Sequence, residues 1–592
     1  MKGFYNKILN IDLDRRRFWT EEISNDILEA VLGGRGLGAY LLWKNLKGGT
    51  NPLSSDNVLI FTIGPATGTK MMGVSRYGVF TKSPQTHFFA DSYSGGYVAP
   101  QIKGCGYDAI IIRGASDSPL YLEISDKDIK FHSAGHLWGK DTYETEDKVL
   151  KEVNRPGAQA VVIGPAGEKM VVFACIKNNQ WRSAGRCGMG AVMGSKKLKA
   201  IVFHGNKSSP LADENLLNKY VQSLVKKGKE DPGVAAYRKY GTAQMVAIVN
   251  NAKAWPTEYW SKGRFEDWQN ISADYLIDNF KVKPHSCHRC FFACGKRTEV
   301  LKGRHKGLKI EGPEHETIYA FGGLCKINEL EEIAYFNDIC DRVGIDTISA
   351  GNLVAFCMEL SRRGRIEDKF KYGDPDQVIE LLGKIARREG IGDILARGIK
   401  YASQVWHSED IAIHVKGLEP AGFDPRVLKG MGLQYATSPR GACHLTATFY
   451  KPELSGVIPP ETIEGKAELL IEYEDRMTIF DNLILCRFFR DIIEWEDLIT
   501  LVEATVGVKY TKERLQKMAS DISTLRRMIS IREGLTKKDD ILPSRFFKEP
   551  RKDDGKIVDK KEFLYMLDKY YQLRGWDKEG NPKKIPEFLG AG

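Results

Sequence analysis

Residues 286–296 read SCHRCFFACGK and place Cys287, Cys290 and Cys294 within eight positions, with no fourth cysteine nearby. A nucleophile needs one thiol, so three point to metal chemistry. Cys290 and Cys294 are expected one helical turn apart with Cys287 a loop away, so that three thiolates converge and a remote residue closes the set. A [4Fe–4S] cluster and a structural zinc both fit, and His285 or His288 would complete the zinc set. A short repeat offers the remote partner: DRVGID (341–346) ends in Asp346, and the related DNLILC (481–486) ends in Cys486.

The first hexamer has chemistry of its own. Asp341 falls in the last turn of a predicted helix, where the macrodipole disfavours an anion by about 0.3–1 kcal/mol, and Asp346 lies just beyond Gly344. Two carboxylates there need donors. The amide and amino groups of a pterin ring would supply them; solvated helix-end acids are the alternative. A second repeat, IGPA, occurs at 63–66 and 163–166, each time after an apolar run and before arginines near glycines: Arg76 in the first copy, Arg182 and Arg186 in the second. Glycine lets backbone N–H groups approach an oxyanion and arginine grips phosphate with a planar fork, so each copy is a candidate anion site or a simple strand-turn punctuation. GGRGLG (33–38) follows a helical stretch and not a strand, so no dinucleotide site is read there.

These groups must be positioned by larger elements. Strand-length apolar runs between glycine clusters occupy 57–68, 77–84, 107–114, 120–124, 158–168 and 198–205, which predicts a β-rich unit up to about residue 210. Beyond it, 214–229, 328–344 and 376–390 carry apolar residues at spacings of three and four, and the last two are expected to stop at glycine. The chain has 592 residues, 42% of them hydrophobic, and no run of 18 apolar residues, so a large globular protein without a membrane span is expected. Met1 to Asp14 has no secretion signal, and 11 cysteines are sparse and odd in number, which favours a reducing cytoplasm over a disulfide framework. With 87 basic and 77 acidic side chains the net charge is +10, without long runs. That suits a solvated surface or the steering of an acidic partner. No basic–aromatic patch argues for nucleic acid.

Taken together, SCHRCFFACG, EGPEHET (311–317), DRVGIDTIS, GACHL (441–445), SGGY (94–97) and AGRCGMGAVMGSKKLKAI (184–201) resemble the aldehyde:ferredoxin oxidoreductase family of tungsten enzymes, colinearly along essentially the whole chain. The resemblance implies an α+β protein: a β-sheet-rich domain (1–210) followed by two mainly helical domains (211–413 and 414–592), with the cofactor at their interface. It implies tungsten, or rarely molybdenum, held by two pterin dithiolenes, with one [4Fe–4S] cluster nearby. Arg76 and Arg182 would meet the two pterin phosphates, bridged by Mg2+ on backbone carbonyls near Tyr93 and Ser183. Gly95, Gly185, Arg186 and Leu485 would sit on the same cofactor-binding segments. Asp341 and Asp346 would bind one pterin and Asp481 the other, while Cys287, Cys290, Cys294 and Cys486 would hold the cluster. Glu316 would be the general base and His444 a proton or hydrogen-bond donor, with Glu311 and Glu314 as structural neighbours of the base and His315 lining the substrate pocket. The implied reaction is oxidation of an aldehyde by water, with electrons passing to ferredoxin or a dedicated iron–sulfur subunit. A reductive enzyme of the benzoyl-CoA reductase type and a non-catalytic electron-transfer scaffold are the alternatives.

Two positions depart from the family pattern. The second hexamer carries Ile484 where relatives have glycine, so its turn is expected to differ, because a left-handed conformation is costly for a β-branched residue. The Glu-x-x-His motif that bridges subunits through a metal in some dimeric relatives is replaced by Tyr335 and Asp338, which leaves the oligomeric state open.

Overall fold

The structure, a computed structural model, describes residues 1–590. Twelve short strands build the N-terminal region. β1 (Lys7–Asp12), β2 (Arg17–Glu22), β3 (Leu59–Thr62), β4 (Tyr77–Lys82), β5 (Phe89–Ser94) and β6 (Ala109–Arg113) form one sheet in the order 2-1-6-3-4-5. β7 (Leu120–Ser125), β8 (Ile129–Ser133), β9 (Gln159–Val162), β10 (Ile176–Asn178), β11 (Arg182–Ala184) and β12 (Leu198–His204) form the other in the order 8-7-12-9-10-11. Adding six to each strand number converts the first order into the second. The pairing senses repeat as well: β1–β6 and β7–β12 are parallel, and every other pair is antiparallel. The two IGPA turns are thus the visible trace of a domain built twice.

Alternation along the strands explains how the sheets stack. Leu9, Ile11, Leu59, Phe61, Ile110 and Ile112 of the first sheet share a core with Leu122, Ile124, Val161, Ile201 and Phe203 of the second. Ile8, Ile60 and Ile111 point the other way, into a core shared with helix Gly34–Asn45 and the C-terminal helices Trp495–Val506 and Lys512–Arg532. Helix Thr142–Val153 covers the far side of the second sheet through Val149.

After His204 the chain becomes mainly helical, as expected. The predicted helices appear as Glu214–Glu230, Leu330–Val343 and Pro375–Arg387. Gly344 stops the second at φ 78°, whereas the third stops at Arg388, at φ 57°, and not at the expected glycine. A small antiparallel sheet, unexpected in this region, joins β13 (Lys281–His285), β14 (Gly295–Glu299) and β15 (Lys309–Glu311). Among the described residues no helix is long and apolar enough to cross a membrane.

Candidate active site

Both hexamers sit at helix ends and both dock onto an IGPA turn. Asp341 ends helix Leu330–Val343, and Asp481 lies in the last turn of helix Lys466–Asn482. A Cβ on Gly164 would lie 2.3 Å from the carbonyl oxygen of Val343, and one on Gly64 would lie 2.6 Å from that of Leu483. Val343 and Leu483 are the third residues of their hexamers, so the IGPA glycines are needed for close backbone approach. The last residue of each hexamer is anchored alike: Asp346 N–H donates to Phe173 at 3.1 Å and Cys486 N–H to Gly73 at 2.8 Å. The expectation that Ile484 alters the turn also fails. Ile484 keeps the left-handed conformation at φ 58°, fully buried, where Gly344 has φ 78°. GGRGLG serves the same junction: a Cβ on Gly34 would lie 1.9 Å from the Asp481 carbonyl oxygen, and Gly36 N–H donates to Asn482 Oδ1 at 2.9 Å.

Between the two junctions lies a cleft with about 1660 Å³ of empty space, its open mouth included. Its wall draws on the β-rich region and on both helical parts of the chain. Of the sequence-derived residues, Arg76, Tyr93, Gly95, Arg182, Ser183, Gly185, Cys287, Cys290, Cys294, Glu316, Asp341, Asp346 and Cys486 line it. Arg186, Asp481, Leu485 and His444 do not, but each touches or closely approaches a residue that does. Arg186 Nε donates to Asp346 Oδ2 at 3.0 Å, Leu485 C=O accepts from Arg76 at 3.0 Å, Asp481 accepts two hydrogen bonds from Arg487, and His444 Nε2 is 3.7 Å from Glu316 Oε1.

The cysteine segment corrects one expectation. Residues 286–294 form a loop between β13 and β14 and not a helical turn, with Arg289 and Ala293 at positive φ. The loop and the end of the second hexamer turn four thiols onto one cavity. Burial, followed by the neighbouring Cys486 and Cys287, pushes the Cys290 thiol up to about 12, and burial also raises Cys294 and Cys486. Buried thiols that repel one another's thiolates suit cationic metal. Among the described residues, no three His, Cys, Asp or Glu side chains are grouped closely enough to hold a single ion. His285 and His288 are engaged elsewhere: His285 pairs with Glu311 at 2.9 Å, and the His288 ring meets Tyr97 edge-on at 6.2 Å.

The three hexamer carboxylates find their donors largely within the protein. Asp341 is paired with Lys177 and accepts from Asn337 Nδ2 at 2.9 Å, and burial still holds its carboxyl up at about 6. Asp346 caps helix Thr347–Arg362 through the N–H groups of Ile348 and Ser349 and accepts from Arg186. Asp481 is fully buried against Arg35 and Arg487. Arg35, Lys177 and Arg487 were not singled out in the sequence. Tyr93 has Arg35, Arg76 and Arg487 over its ring at 5.8, 5.1 and 5.9 Å, and its hydroxyl donates to Asp91 at 3.0 Å.

At the opposite wall, Glu316 opens helix His315–Ile318, which continues into a widened π turn over Tyr319–Gly323. Such turns recur at functional sites because they redirect side chains within a helix. Glu316 Oε2 accepts from Gly422 N–H at 3.0 Å, and burial raises its carboxyl to about 7, with Arg186 partly opposing. Burial and the charges of Arg186 and Arg440 push the His444 imidazole well below its usual value, so the ring is neutral. Its Nδ1 is buried without a partner. Glu311 and Glu314 line the same cleft as Glu316 and are held by other partners: Glu311 pairs with Arg182 and His285, and Glu314 accepts from Thr242. Nor does His315 line the cleft; it packs against Trp255 at 5.2 Å and Phe423 at 5.4 Å, behind Glu316.

A further acid, Glu419, escaped the sequence reading. Ser349 Oγ lies 3.0 Å from Asp346 Oδ2 and 2.7 Å from Glu419 Oε2. One hydroxyl hydrogen cannot serve two acceptors. The Ser349 hydroxyl is therefore shared between Asp346 and Glu419, whose Oε2 also accepts from Gln85 Nε2 at 2.9 Å. Complete burial raises the Glu419 carboxyl to about 7, with the Ser349 hydroxyl and Arg186 opposing.

Comparison with known proteins accords with this arrangement. The family model for the aldehyde ferredoxin oxidoreductase N-terminal domain matches residues 8–205, and that for its domains 2 and 3 matches 219–585. A tungsten-containing aldehyde ferredoxin oxidoreductase of Pyrococcus furiosus is 36% identical over 607 residues, covering 100% of this chain and 99% of that protein. An aliphatic sulfonate oxidoreductase WOR-like subunit of the same organism is 30% identical, covering 100% and 98%. Among solved structures, the active-site complex BamBC of benzoyl coenzyme A reductase with 1,5-dienoyl-CoA superposes with a TM-score of 0.86 at 25% identity, covering 100% of this chain and 97% of that one. Matches over both the duplicated sheets and the helical parts make this chain a member of the aldehyde ferredoxin oxidoreductase family.

Proposed function

We propose that the chain oxidises an aldehyde to a carboxylic acid, RCHO + H2O → RCOOH + 2H+ + 2e−, at a tungsten bis-pterin centre, with electrons leaving singly through one [4Fe–4S] cluster to ferredoxin or a dedicated iron–sulfur subunit. The observation that carries this reading is one cleft that exposes four cysteines and a carboxylate tuned to about 7. The donor set suits the cofactors. Cys287, Cys290, Cys294 and Cys486 surround the cavity without gathering on one ion, which favours a multi-iron object over zinc. The two matching junctions would each hold one pterin, with Asp341 and Asp346 on one side and Asp481 on the other. Arg76 and Arg182 would reach the phosphates and the carbonyls near Tyr93 and Ser183 the Mg2+, a placement carried by the family resemblance. Bound there, the metal supplies a two-electron acceptor, tungsten or more rarely molybdenum.

The residues of the chain then handle protons. Ionised Glu316 takes a proton from the water or the aldehyde hydrate, and Gly422 N–H holds the carboxylate in place. Neutral His444, beside Glu316 at 3.7 Å, donates a hydrogen bond to the substrate oxygen. Arg186 fixes this wall by donating to Asp346, to the Ala442 carbonyl at 3.3 Å and to the Glu419 carbonyl at 2.7 Å.

Anaerobic purification followed by metal and pterin analysis and an aldehyde panel with a viologen dye tests the reading. One tungsten, two pterins, four irons and aldehyde-dependent dye reduction are expected. Iron alone would make the chain an electron-transfer scaffold. A full metal complement with no aldehyde oxidised would shift it to the reductive chemistry named for the benzoyl coenzyme A reductase neighbour.

A further inference from the structure

We infer that the outer face of the cysteine loop is the docking surface for an acidic electron-carrier protein. The inference rests on the proposed role of that loop in holding a cluster. Helix Glu214–Glu230 touches the loop through Gly228, whose added Cβ would lie 2.5 Å from the Phe291 ring. Helix Pro232–Tyr240 touches it through Arg238, which donates to the Phe291 carbonyl. Around these contacts Lys227, Lys229, Arg238, Lys239, Lys283 and Arg289 are all exposed. Among the described residues none of the six is in an ion pair, whereas Lys281, on the same strand as Lys283, pairs with Glu299 at 3.1 Å. β13, the loop and helix Pro232–Tyr240 contain no acid, and helix Glu214–Glu230 carries its two only at its ends. Exposed Tyr97 adds an aromatic contact, its hydroxyl donating to Ser286 at 3.0 Å.

These six exposed cations, none in an ion pair, flank the loop where electrons would leave; the acids near them are Glu230 beside Lys229 and Asp274 and Asp278 toward Lys239. A patch with an excess of one sign costs self-repulsion and raises the encounter rate of an oppositely charged protein. Rapid electron transfer needs short-lived, steered encounters, which such a rim supplies without a large apolar interface.

The test is the triple variant K227E/K229E/K239E of the metal-loaded enzyme, assayed with a purified acidic ferredoxin and, separately, with a viologen dye. At low ionic strength kcat/KM for ferredoxin should fall by about tenfold or more while the dye-linked rate and iron content stay at wild-type values. The difference should fade near 1 M salt, where screening acts over about 3 Å. Unchanged ferredoxin kinetics at low salt would overturn the inference, as would reversal-sensitive binding of phosphatidylserine vesicles or RNA with ferredoxin kinetics unmoved. If wild type oxidised no aldehyde, the proposed reaction would fail separately. Direct binding of ferredoxin to wild type and variant would still decide the docking surface, with tighter binding to wild type expected and equal binding overturning it.

Discussion

The two junctions on which the site is built share a scaffold and differ in their chemistry. Each joins a six-stranded sheet, an IGPA turn whose glycine meets the third residue of a hexamer, and a left-handed residue in that hexamer. The 341–346 junction ends in Asp346, which caps a helix, and carries Asp341 paired with a single lysine and held near pH 6. The 481–486 junction ends in Cys486, which faces the cavity, and its Asp481 is enclosed by Arg35 and Arg487. Duplication supplies two equivalent backbone platforms, each running on into a helix, and the residue at the sixth position decides whether a carboxylate caps that helix or a thiol faces the cavity. Ile484 shows how strongly the platform constrains the backbone: the turn stays left-handed although a β-branched residue there is expected to cost about 1–2 kcal/mol.

The comparison can be broken at its sixth position. Cys486→Asp, which gives the second hexamer the ending of the first, should abolish the four irons per chain, measured by iron and sulfide analysis. Asp346→Cys should keep the irons and lower stability by about 3–5 kcal/mol, through loss of the helix cap and of the buried partner of Arg186. Gly64→Ala and Gly164→Ala should each destabilise by about 1–3 kcal/mol, because the new methyl meets a backbone carbonyl that cannot retreat. Similar Tm losses would support equivalence of the junctions, and a loss confined to one would contradict it. Lys177→Met sharpens the electrostatic difference. In wild type Asp341 is ionised above about pH 6, so retention of its pterin should weaken as pH falls through that value. Without the lysine the midpoint should rise by about one unit or more, read from pterin content after dialysis across pH. The smallest effect is expected for Glu419→Gln, under about threefold in kcat, because the amide keeps the shape and an acceptor oxygen for Ser349 and Gln85; Glu419→Ala should cost about 1–3 kcal/mol by stranding both.

The six strands expected from apolar runs all exist because β3, β4, β6, β7, β9 and β12 are buried almost throughout. The others hid for physical reasons. β2 (RFWTEE) is largely exposed, β10 and β11 have three residues each, and β5 buries polar side chains such as Asp91 and Ser92. The duplication was legible only at IGPA, since backbone topology survives side-chain divergence. In the cysteine loop, Cys-x3-Cys spacing imitated a helical turn, yet two residues at positive φ bend it. The family motifs pointed to residues that line or border the cleft. Arg35, Lys177, Arg487 and Glu419 could not be found that way, because a buried charge is recognisable only beside its partner.

The central claim is tested most directly by the turnover of Glu316→Gln with an aldehyde and viologen, measured across pH on protein with its full tungsten and iron. Glu316 must be ionised to accept a proton, so the wild-type rate should be high above about pH 7 and fall as pH drops through it. The variant should lose that dependence and turn over about 10²–10⁴-fold more slowly, equivalent to about 3–5 kcal/mol of barrier. Wild-type turnover by the fully metallated variant, with the same pH profile, would contradict the account.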